Sequence, residues 1–209
     1  MNATILFTQA KGGAGKSTLL TQLAAHWLGQ GHRVALVDLD PQGSSLAWAK
    51  TRAASGRSPP LALAVESADF RAAADLRDAA AAADIVLVDT AGHAEALRGV
   101  IRDRADLLVI PVQPSMADVL ATDATLQTAA KGKTRHLLVL NRCPPRGKAA
   151  EAATEALAAK GAPMAHTRLG QRAAFAEAFM LGAGVTETAS GRRAAEEVRC
   201  LADEITGQI

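Results

Sequence analysis

The chain has 209 residues, of which 49% are hydrophobic and 21% charged, and a formal net charge of +2. This length and composition are ordinary for one globular domain with a sizeable core. No charged-then-apolar leader opens the sequence and no apolar run approaches the ~20 residues that cross a bilayer, so we expect a cytoplasmic protein. The two cysteines, Cys143 and Cys200, form no CxxC pair and predict neither a disulfide framework nor a cysteine-rich metal site.

Five short, β-branched apolar runs predict strands buried on both faces, because their apolarity is continuous rather than alternating. Longer Ala- and Leu-rich segments with helical spacing separate these runs. The alternation predicts right-handed crossovers and one α/β domain over residues 1–209, with a mainly parallel, twisted sheet and helices on both faces. The predicted strands are 3–8, 33–40, 84–90, 106–113 and 136–142, with weaker candidates at 61–65 and 162–167, and the helical segments include 17–29, 68–83, 94–104 and 115–130.

A glycine-rich loop, A-K-G-G-A-G-K-S-T at residues 10–18, follows the first strand and leads into a helix. Glycines let the backbone curl so that successive N–H groups face inward, and the helix start adds its positive end. Such a loop suits a polyanionic phosphate group. Lys16 can reach β- and γ-phosphates, and the hydroxyl of Ser17 can coordinate Mg²⁺. The predicted nucleotide-binding residues are Gly12, Gly13, Ala14, Gly15, Lys16, Ser17 and Thr18.

The stretch KGGAGKST departs from the common G-x-x-x-x-G-K-[ST] form, because position 10 is alanine and position 11 is a second lysine. It resembles the deviant P-loop, K-G-G-x-G-K-[ST], of the ParA/MinD superfamily of ATPases at every specified position. The resemblance implies a single-domain P-loop NTPase that binds ATP and Mg²⁺, forms an ATP-dependent homodimer and hydrolyses ATP slowly. In that family the first lysine reaches across the dimer to the partner's ATP, so Lys11 and Lys16 are both predicted catalytic residues.

Two later stretches resemble other nucleotide motifs of this family. LVDLDPQGS, at residues 36–44, is similar to its switch I strand and turn, and VLVDTAG is similar to its magnesium-side strand and turn. A carboxylate at a strand end beside the loop suits Mg²⁺, which takes oxygen ligands while it bridges phosphates. We therefore predict that Asp89 joins Ser17 at the metal, with Asp38 in its outer shell, and that Asp40 orients the attacking water. Plain strand-end polar caps are the alternative for Asp38 and Asp40.

Most of the positive charge lies in the last third of the chain. Residues 131–148 contain six Lys or Arg and no acid. The resemblance to ParA implies that the ATP dimer binds DNA without reading its sequence, which contacts from cationic side chains to phosphates would supply. Solvation alone is the alternative for each cation. The DNA-binding candidates are Arg146, Lys148, Arg168 and Arg172.

The stretch LVLNRCPPRG resembles the strand and loop in which such ATPases place an asparagine near the adenine. Asn141 is therefore a nucleotide-site candidate, with an ordinary strand-end turn as the alternative. The family resemblance also implies a ParB-like or other cargo adaptor that stimulates hydrolysis, and association with a bacterial nucleoid. The cargo, whether plasmid, chromosome or another body, stays open.

A MinD-like ATPase that works on a membrane surface is the alternative function. It would need an amphipathic C-terminal helix with a basic face and bulky apolar residues opposite. The last residues, EEVRCLADEITGQI, include four acids, one Arg and no aromatic side chain, so we expect no membrane binding. The sequence begins directly at its first strand, so we also expect no N-terminal helix-turn-helix.

Overall fold

The computed structural model describes residues 2–68, 70–92, 103–146 and 148–209. Within these residues, six strands form one parallel sheet in the order β3-β2-β4-β1-β5-β6. The strands are β1 (Ala3–Phe7), β2 (Val34–Asp38), β3 (Leu63–Glu66), β4 (Ile85–Asp89), β5 (Leu107–Val112) and β6 (Arg135–Leu140). The helices are α1 (Lys16–Gly29), α2 (Ser44–Ala54), α3 (Ala72–Ala82), α4 (Met116–Ala129), α5 (Ala149–Ala158), α6 (Ala173–Met180) and α7 (Arg192–Thr206), with a 3-10 turn at Val185–Glu187. The predicted α/β class with a parallel sheet is confirmed.

Each face of the sheet has its own helices, because successive residues of a strand point to opposite sides. On one face, Ile5 and Phe7 of β1 belong to a core that includes Trp27 of α1 and Trp48 of α2, and α6 and α7 complete this layer. On the other face, α3 covers β2 and β4, while α4 and α5 cover β5 and β6. Burial on both sides explains the continuous apolarity of the strands.

Two of the predicted elements differ in the structure, and one falls largely outside the described residues. Segment 162–167 forms no strand: Met164 makes a single parallel bridge to Leu138 at the edge of β6, and the next bridge to this edge comes only at Gly170. The helix predicted at 68–83 begins only at Ala72, and just before it Arg71 N–H donates to the carbonyl of Ala68 at 2.8 Å. The helix predicted at 94–104 lies outside the described residues, except for its last two positions.

The carboxyl end of β1 lies at the point where the chain changes direction across the sheet. From β1 the chain passes to β2 on one side and later to β5 on the other. In open α/β sheets such a switch point creates a crevice at the carboxyl ends of the strands, where ligands bind. The strand register places Phe7 opposite Asp89 and Asp89 opposite Asp38, so both carboxylates stand beside the loop that follows β1. None of the described helices is long and apolar enough to span a membrane.

Candidate nucleotide-binding site

The loop between β1 and α1 has the curled backbone that its glycines predict. Gly13 and Gly15 have φ values of 79° and 89°, in the left-handed region that side chains disfavour. At Gly15 an added Cβ would also lie 2.5 Å from the side-chain amide of Asn141. The first turn of α1 closes on this residue, since Leu19 N–H donates to its carbonyl at 2.9 Å. Glycine is therefore required at position 15 by both backbone conformation and contact.

Two adjoining cavities open beside this loop. The first is an open cleft of about 1310 Å³, and the second is a mainly apolar space of about 700 Å³ that shares Thr18 and Arg142 with it. A cleft that holds charged and hydroxyl side chains, next to an apolar space, suits the phosphates and the base of a nucleotide. The cleft is lined by the loop and by residues of the two later motifs, among them Lys16, Ser17, Asp40, Gln42 and Gly92. The apolar space is lined by Leu19, Leu169, Phe175 and Ala176, with Asn141 at its edge.

Asp89 fits the role of a magnesium ligand. It is fully buried at the end of β4, and neither of its carboxylate oxygens accepts a hydrogen bond from the described residues. Burial raises the pKa of Asp89 to about 7, although the nearby Ser17 hydroxyl and Lys16 ammonium act in the opposite direction. A buried carboxylate without partners is stabilised by a bound cation. Asp89 and the hydroxyl of Ser17 would hold Mg²⁺, and the ion would supply positive charge to neutralise phosphate oxygens.

Asp38 has a different environment, because both of its oxygens accept hydrogen bonds from the chain. Oδ1 accepts from Asp40 N–H at 3.0 Å, and Oδ2 accepts from the hydroxyl of Ser45 at 2.8 Å and from Leu46 N–H at 2.9 Å. Asp38 thus anchors the start of α2 and shapes the preceding turn. These contacts favour the alternative of a structural strand-end cap, and its part in the outer shell of the metal stays a prediction.

Asp40 lies in the turn that Asp38 organises. Its carboxylate is partly exposed and lines the phosphate cleft, with Oδ1 accepting a hydrogen bond from Gln42 N–H at 3.0 Å. A second bond, from Gly43 N–H to the carbonyl of Asp40 at 2.8 Å, closes the turn. A carboxylate held in this way at the rim of the cleft can accept a hydrogen bond from water, so the position is compatible with the predicted role of Asp40 in orienting the attacking water, which stays a prediction.

Lys11 and Lys16 lie in contrasting surroundings. Lys16 is 7% exposed and lines the cleft. Lys11 has a side chain that is 40% exposed, and its Nζ forms an ion pair of 2.7 Å with Asp118 Oδ2 on α4. The hydroxyl of Ser115 also bonds to the same carboxylate oxygen. Within one chain Lys11 is therefore held by α4, and its predicted reach to a partner's nucleotide stays a prediction.

Sequence reasoning missed the contribution of α4 to the loop. The side chain of Gln9 is buried and donates to Thr122 at 3.1 Å, while Thr125 donates to Gln9 at 3.0 Å. Ala10 N–H in turn donates to Thr125 at 3.1 Å. The one local signal was the S-x-x-D pattern at residues 115–118, which is typical of a helix start. That pattern predicts a cap, which the structure contains, but not an ion pair across 107 positions.

Asn141 lies against the loop, as expected for a residue of the nucleotide site. Its side-chain amide, however, is hydrogen-bonded to the protein itself. The side-chain N–H₂ donates to the carbonyl of Ala14 at 2.8 Å, and Oδ1 accepts from Arg142 N–H at 2.9 Å. Asn141 therefore braces the loop from the end of β6, and contact with an adenine stays a prediction. Arg142, which also lines both cavities, was not predicted from the sequence.

The four DNA-binding candidates come from two segments that the fold brings to the same edge of the sheet. Arg168 is exposed and lines an open cleft of about 490 Å³ together with the loop that follows β6. Arg146 and Lys148 are exposed and come directly after that loop. Arg172 is partly buried and forms two bonds to Glu197, of 2.5 Å and 3.1 Å, which raise the pKa of its guanidinium. Arg172 thus has a structural partner, whereas the other three cations face solvent.

The fold and the site together define a P-loop nucleotide-binding protein of the α/β class. The sequence pattern of the CobQ/CobB/MinD/ParA nucleotide-binding domain matches residues 5–185. Since this match covers most of the chain, the protein belongs to that family and is a ParA/MinD-type ATPase by descent.

Relatives of known identity agree with this assignment. The chain is 30% identical over 211 residues to maintenance of carboxysome distribution protein A of Halothiobacillus neapolitanus, covering 97% of this chain and 95% of that protein. It is 36% identical over 123 residues to the chromosome-partitioning ATPase Soj of Thermus thermophilus, covering 54% of this chain and 47% of Soj. A plasmid partition protein of Borrelia burgdorferi, crystallised with AMPPNP, has the same fold, with a TM-score of 0.77, 14% identity and full coverage of both chains.

Proposed function

We propose that this protein is an ATP-driven positioning ATPase, which dimerises on ATP, binds DNA without sequence preference and releases it on hydrolysis. The observation that carries the proposal is the second lysine of the loop, Lys11, at the rim of the cleft that Lys16 lines. Phosphoryl transfer is catalysed mainly by positioning and by stabilisation of charge. A cation supplied by a second chain would make hydrolysis depend on association.

The surroundings of Lys11 support a contact surface at this rim. On α4, Met116 and Leu120 are 54% and 63% exposed, and they flank Asp118, which holds Lys11. Large apolar side chains exposed next to a functional charge are typical of protein interfaces. A second copy seated on this face would cover them and could draw Lys11 away from Asp118.

In this proposal each group of the site has a role. Lys16 and the backbone N–H groups of the loop bind the phosphates, and Asp89 with Ser17 would hold Mg²⁺. Asp40 accepts the proton of the attacking water, whose position the Asp38-anchored turn sets. Hydrolysis is slow in this proposal and is stimulated by an adaptor protein of the ParB kind or another cargo adaptor.

The distribution of charge supports DNA as the surface on which the switch works. Arg146, Lys148 and Arg168 face solvent at one edge of the sheet. In a dimer two such edges would double the positive surface, and each cation that meets a phosphate would steepen the salt dependence of binding. The cargo is a plasmid, a chromosome or a body such as the carboxysome that the Halothiobacillus relative is named for.

A membrane surface is the less supported site of action. Helix α7 is amphipathic, but its apolar residues, including Val198, Leu201 and Ile205, are buried in the core. A helix that binds a bilayer needs such a face free. The proposal therefore places the protein in the cytoplasm, on the nucleoid.

Co-sedimentation with DNA in ADP, ATP and a nonhydrolysable ATP analogue, at two salt concentrations, tests the proposal. We expect binding with ATP and the analogue only, and a steep loss at the higher salt. An Arg168→Ala variant should bind less DNA while still dimerising by light scattering, and exposed Arg77→Ala on α3 is the matched control. Binding independent of nucleotide, or binding to anionic vesicles in place of DNA, would contradict the proposal.

A further inference from the structure

Arg142 has a backbone conformation that its residue type disfavours. Its φ is 55°, and it is the one non-glycine residue with a left-handed φ in the described part of the chain. For a residue with a Cβ this region is strained, and glycine or asparagine normally occupies it. Strained residues persist where the surrounding structure holds them, and they cluster at functional sites. The strained backbone therefore points to a functional role for the side chain of Arg142.

The neighbours of Arg142 hold this conformation from both sides. Its N–H donates to the side chain of Asn141, and Asn141 N–H donates to the carbonyl of Val112 at 2.9 Å. On the other side, Cys143 N–H donates to the carbonyl of Leu169 at 2.8 Å. The turn at Arg142 is thus fixed between two hydrogen-bonded residues at the end of β6. The backbone position from which its side chain extends is therefore fixed as well.

The side chain lies where the two cavities of the site meet. Arg142 lines both the phosphate cleft and the apolar space, a position that it shares only with Thr18 among the described residues. Its Nε is 3.6 Å from the point at which a Cβ would stand on Gly15. The guanidinium group therefore lies against the loop, between the space for the phosphates and the space for the base.

Arg142 also differs from Lys11 and Arg172 in having no carboxylate partner among the described residues. Lys11 is paired with Asp118, and Arg172 is paired with Glu197. None of the described carboxylates forms an ion pair with Arg142, and the residue is exposed. An unpaired guanidinium beside an anion-binding loop can form charge-assisted bonds to a phosphate oxygen.

We propose that Arg142 is a nucleotide-binding residue whose guanidinium contacts the α-phosphate, where the phosphate cleft meets the apolar space. This inference rests on the nucleotide binding in the proposed function and adds a residue to that site. The α-phosphate is favoured because it joins the rest of the phosphate chain to the ribose and base. A contact there serves ADP and ATP alike, so Arg142 holds the nucleotide before and after hydrolysis.

The decisive variant is Arg142→Gly, because glycine adopts a φ of 55° without strain while the guanidinium is removed. We expect the affinities for ADP and ATP, measured by calorimetry, to fall by a similar factor of about 10 to 100, as for one charge-assisted contact. The melting temperature of the nucleotide-free protein should stay the same or rise, since strain is relieved. The nucleotide affinities of Arg142→Lys should lie between those of the wild type and Arg142→Gly, because lysine keeps the positive charge but lacks the planar guanidinium group.

The control is Arg135→Ala, which removes an exposed arginine at the opposite end of β6 and should leave both affinities unchanged. Wild-type affinity for ADP in Arg142→Gly would overturn the inference, and so would a loss confined to ATP, which would put the contact at the γ-phosphate. A wild-type chain that binds neither nucleotide would instead overturn the proposed function on which the inference rests.

Discussion

Lys11 and Lys16 lie five positions apart in one loop, yet their burial separates their roles. Lys16 is almost enclosed by its own chain, so its charge serves the cleft that it lines. Lys11 is held at the rim by an ion pair whose lysine side chain remains 40% exposed. Because the lysine side chain is partly exposed, its ammonium group can reach a second anion at the surface, while Asp118 itself is buried. The position of Lys11 is therefore suited to a change of partner, and that of Lys16 is not.

At the residue scale, Lys11→Ala should bind ATP nearly as well as the wild type, because the loop and Lys16 are untouched. Its ATP-dependent dimer should be lost and turnover should fall by at least ~10-fold, as when a cation that stabilises the transition state is removed. Light scattering and phosphate release measure the two effects. Exposed Lys131→Ala, beyond the end of α4, should behave as the wild type, and a Lys11→Ala dimer of normal affinity would refute the role in trans.

Asp40→Ala should separate association from hydrolysis. The carboxylate lines the cleft but makes only a local bond to Gln42, so its removal should leave ATP binding and dimerisation in place. Turnover should fall by about 10²-fold or more, the usual effect of losing a general base. Exposed Asp78→Ala on α3 serves as the control for the change in charge. Normal turnover in Asp40→Ala would remove this residue from the catalytic set.

At the scale of elements, α2 is fastened at both ends. Asp38 binds its first turn through Ser45 and Leu46 N–H, as described above. Near its end, Arg52 is 1% exposed and donates to both carboxylate oxygens of Glu187, at 2.8 and 2.9 Å. Its guanidinium also lies 5.5 Å from the ring centroid of Trp48. The helix that leaves the Asp40 turn is thus tied to the segment that follows α6.

Arg52→Met should destabilise the protein by about 3–5 kcal/mol, because it leaves Glu187 without the partner of a buried ion pair. Urea unfolding of the nucleotide-free protein measures this loss. The matched control is Arg33→Met, which breaks an ion pair of similar length, 2.6 Å to Asp84, whose arginine is 61% exposed. The control substitution should lower the free energy of unfolding much less, since solvent screens that ion pair. Equal losses in the two variants would contradict the structural role of Arg52.

Sequence patterns located the strands of the fold but wrongly predicted a further strand at 162–167. Strands β1, β2, β4, β5 and β6 lie within two residues of their predicted bounds, because burial on both faces leaves a continuous apolar signal. Segment 162–167 has a similar composition but only touches the edge of β6 at Met164. Whether a short apolar segment joins a sheet depends on the path of the chain around it, which composition does not carry.

At the scale of the whole molecule, one buried and one partly buried histidine make stability depend on pH. Burial lowers the pKa of His26, on α1, and of His136, on β6, below the ordinary value of 6.5. Around His26, the carboxylate of Asp203 acts against this shift, and Arg199 and His32 reinforce it. The unfolded chain therefore binds protons more readily than the folded one just below pH 6.5, and stability is lost as the pH falls through that range.

His26→Gln should reduce this sensitivity to acid. We expect the free energy of unfolding, measured with urea at about pH 5.5 and about pH 7.5, to differ less between the two conditions in the variant than in the wild type. His136 remains, so part of the difference should persist. His166→Gln, at an exposed histidine, is the control and should keep the wild-type difference. An unchanged difference in His26→Gln would show that burial of this residue does not contribute.

The candidate site was predictable where its residues are neighbours in sequence and unpredictable where they are not. The amino-acid sequence by itself determined the glycine loop with its two lysines, the aspartates at the ends of β2 and β4, and the parallel sheet that carries them. The backbone conformation and burial of each of these segments select residue types that are neighbours in the sequence, so each segment can be recognised from its own pattern. Only the tertiary structure decided that Asp118 holds Lys11, that Glu197 engages Arg172 and that Arg142 lies between the two cavities. These contacts join segments far apart in the chain, and packing alone brings them within bonding distance.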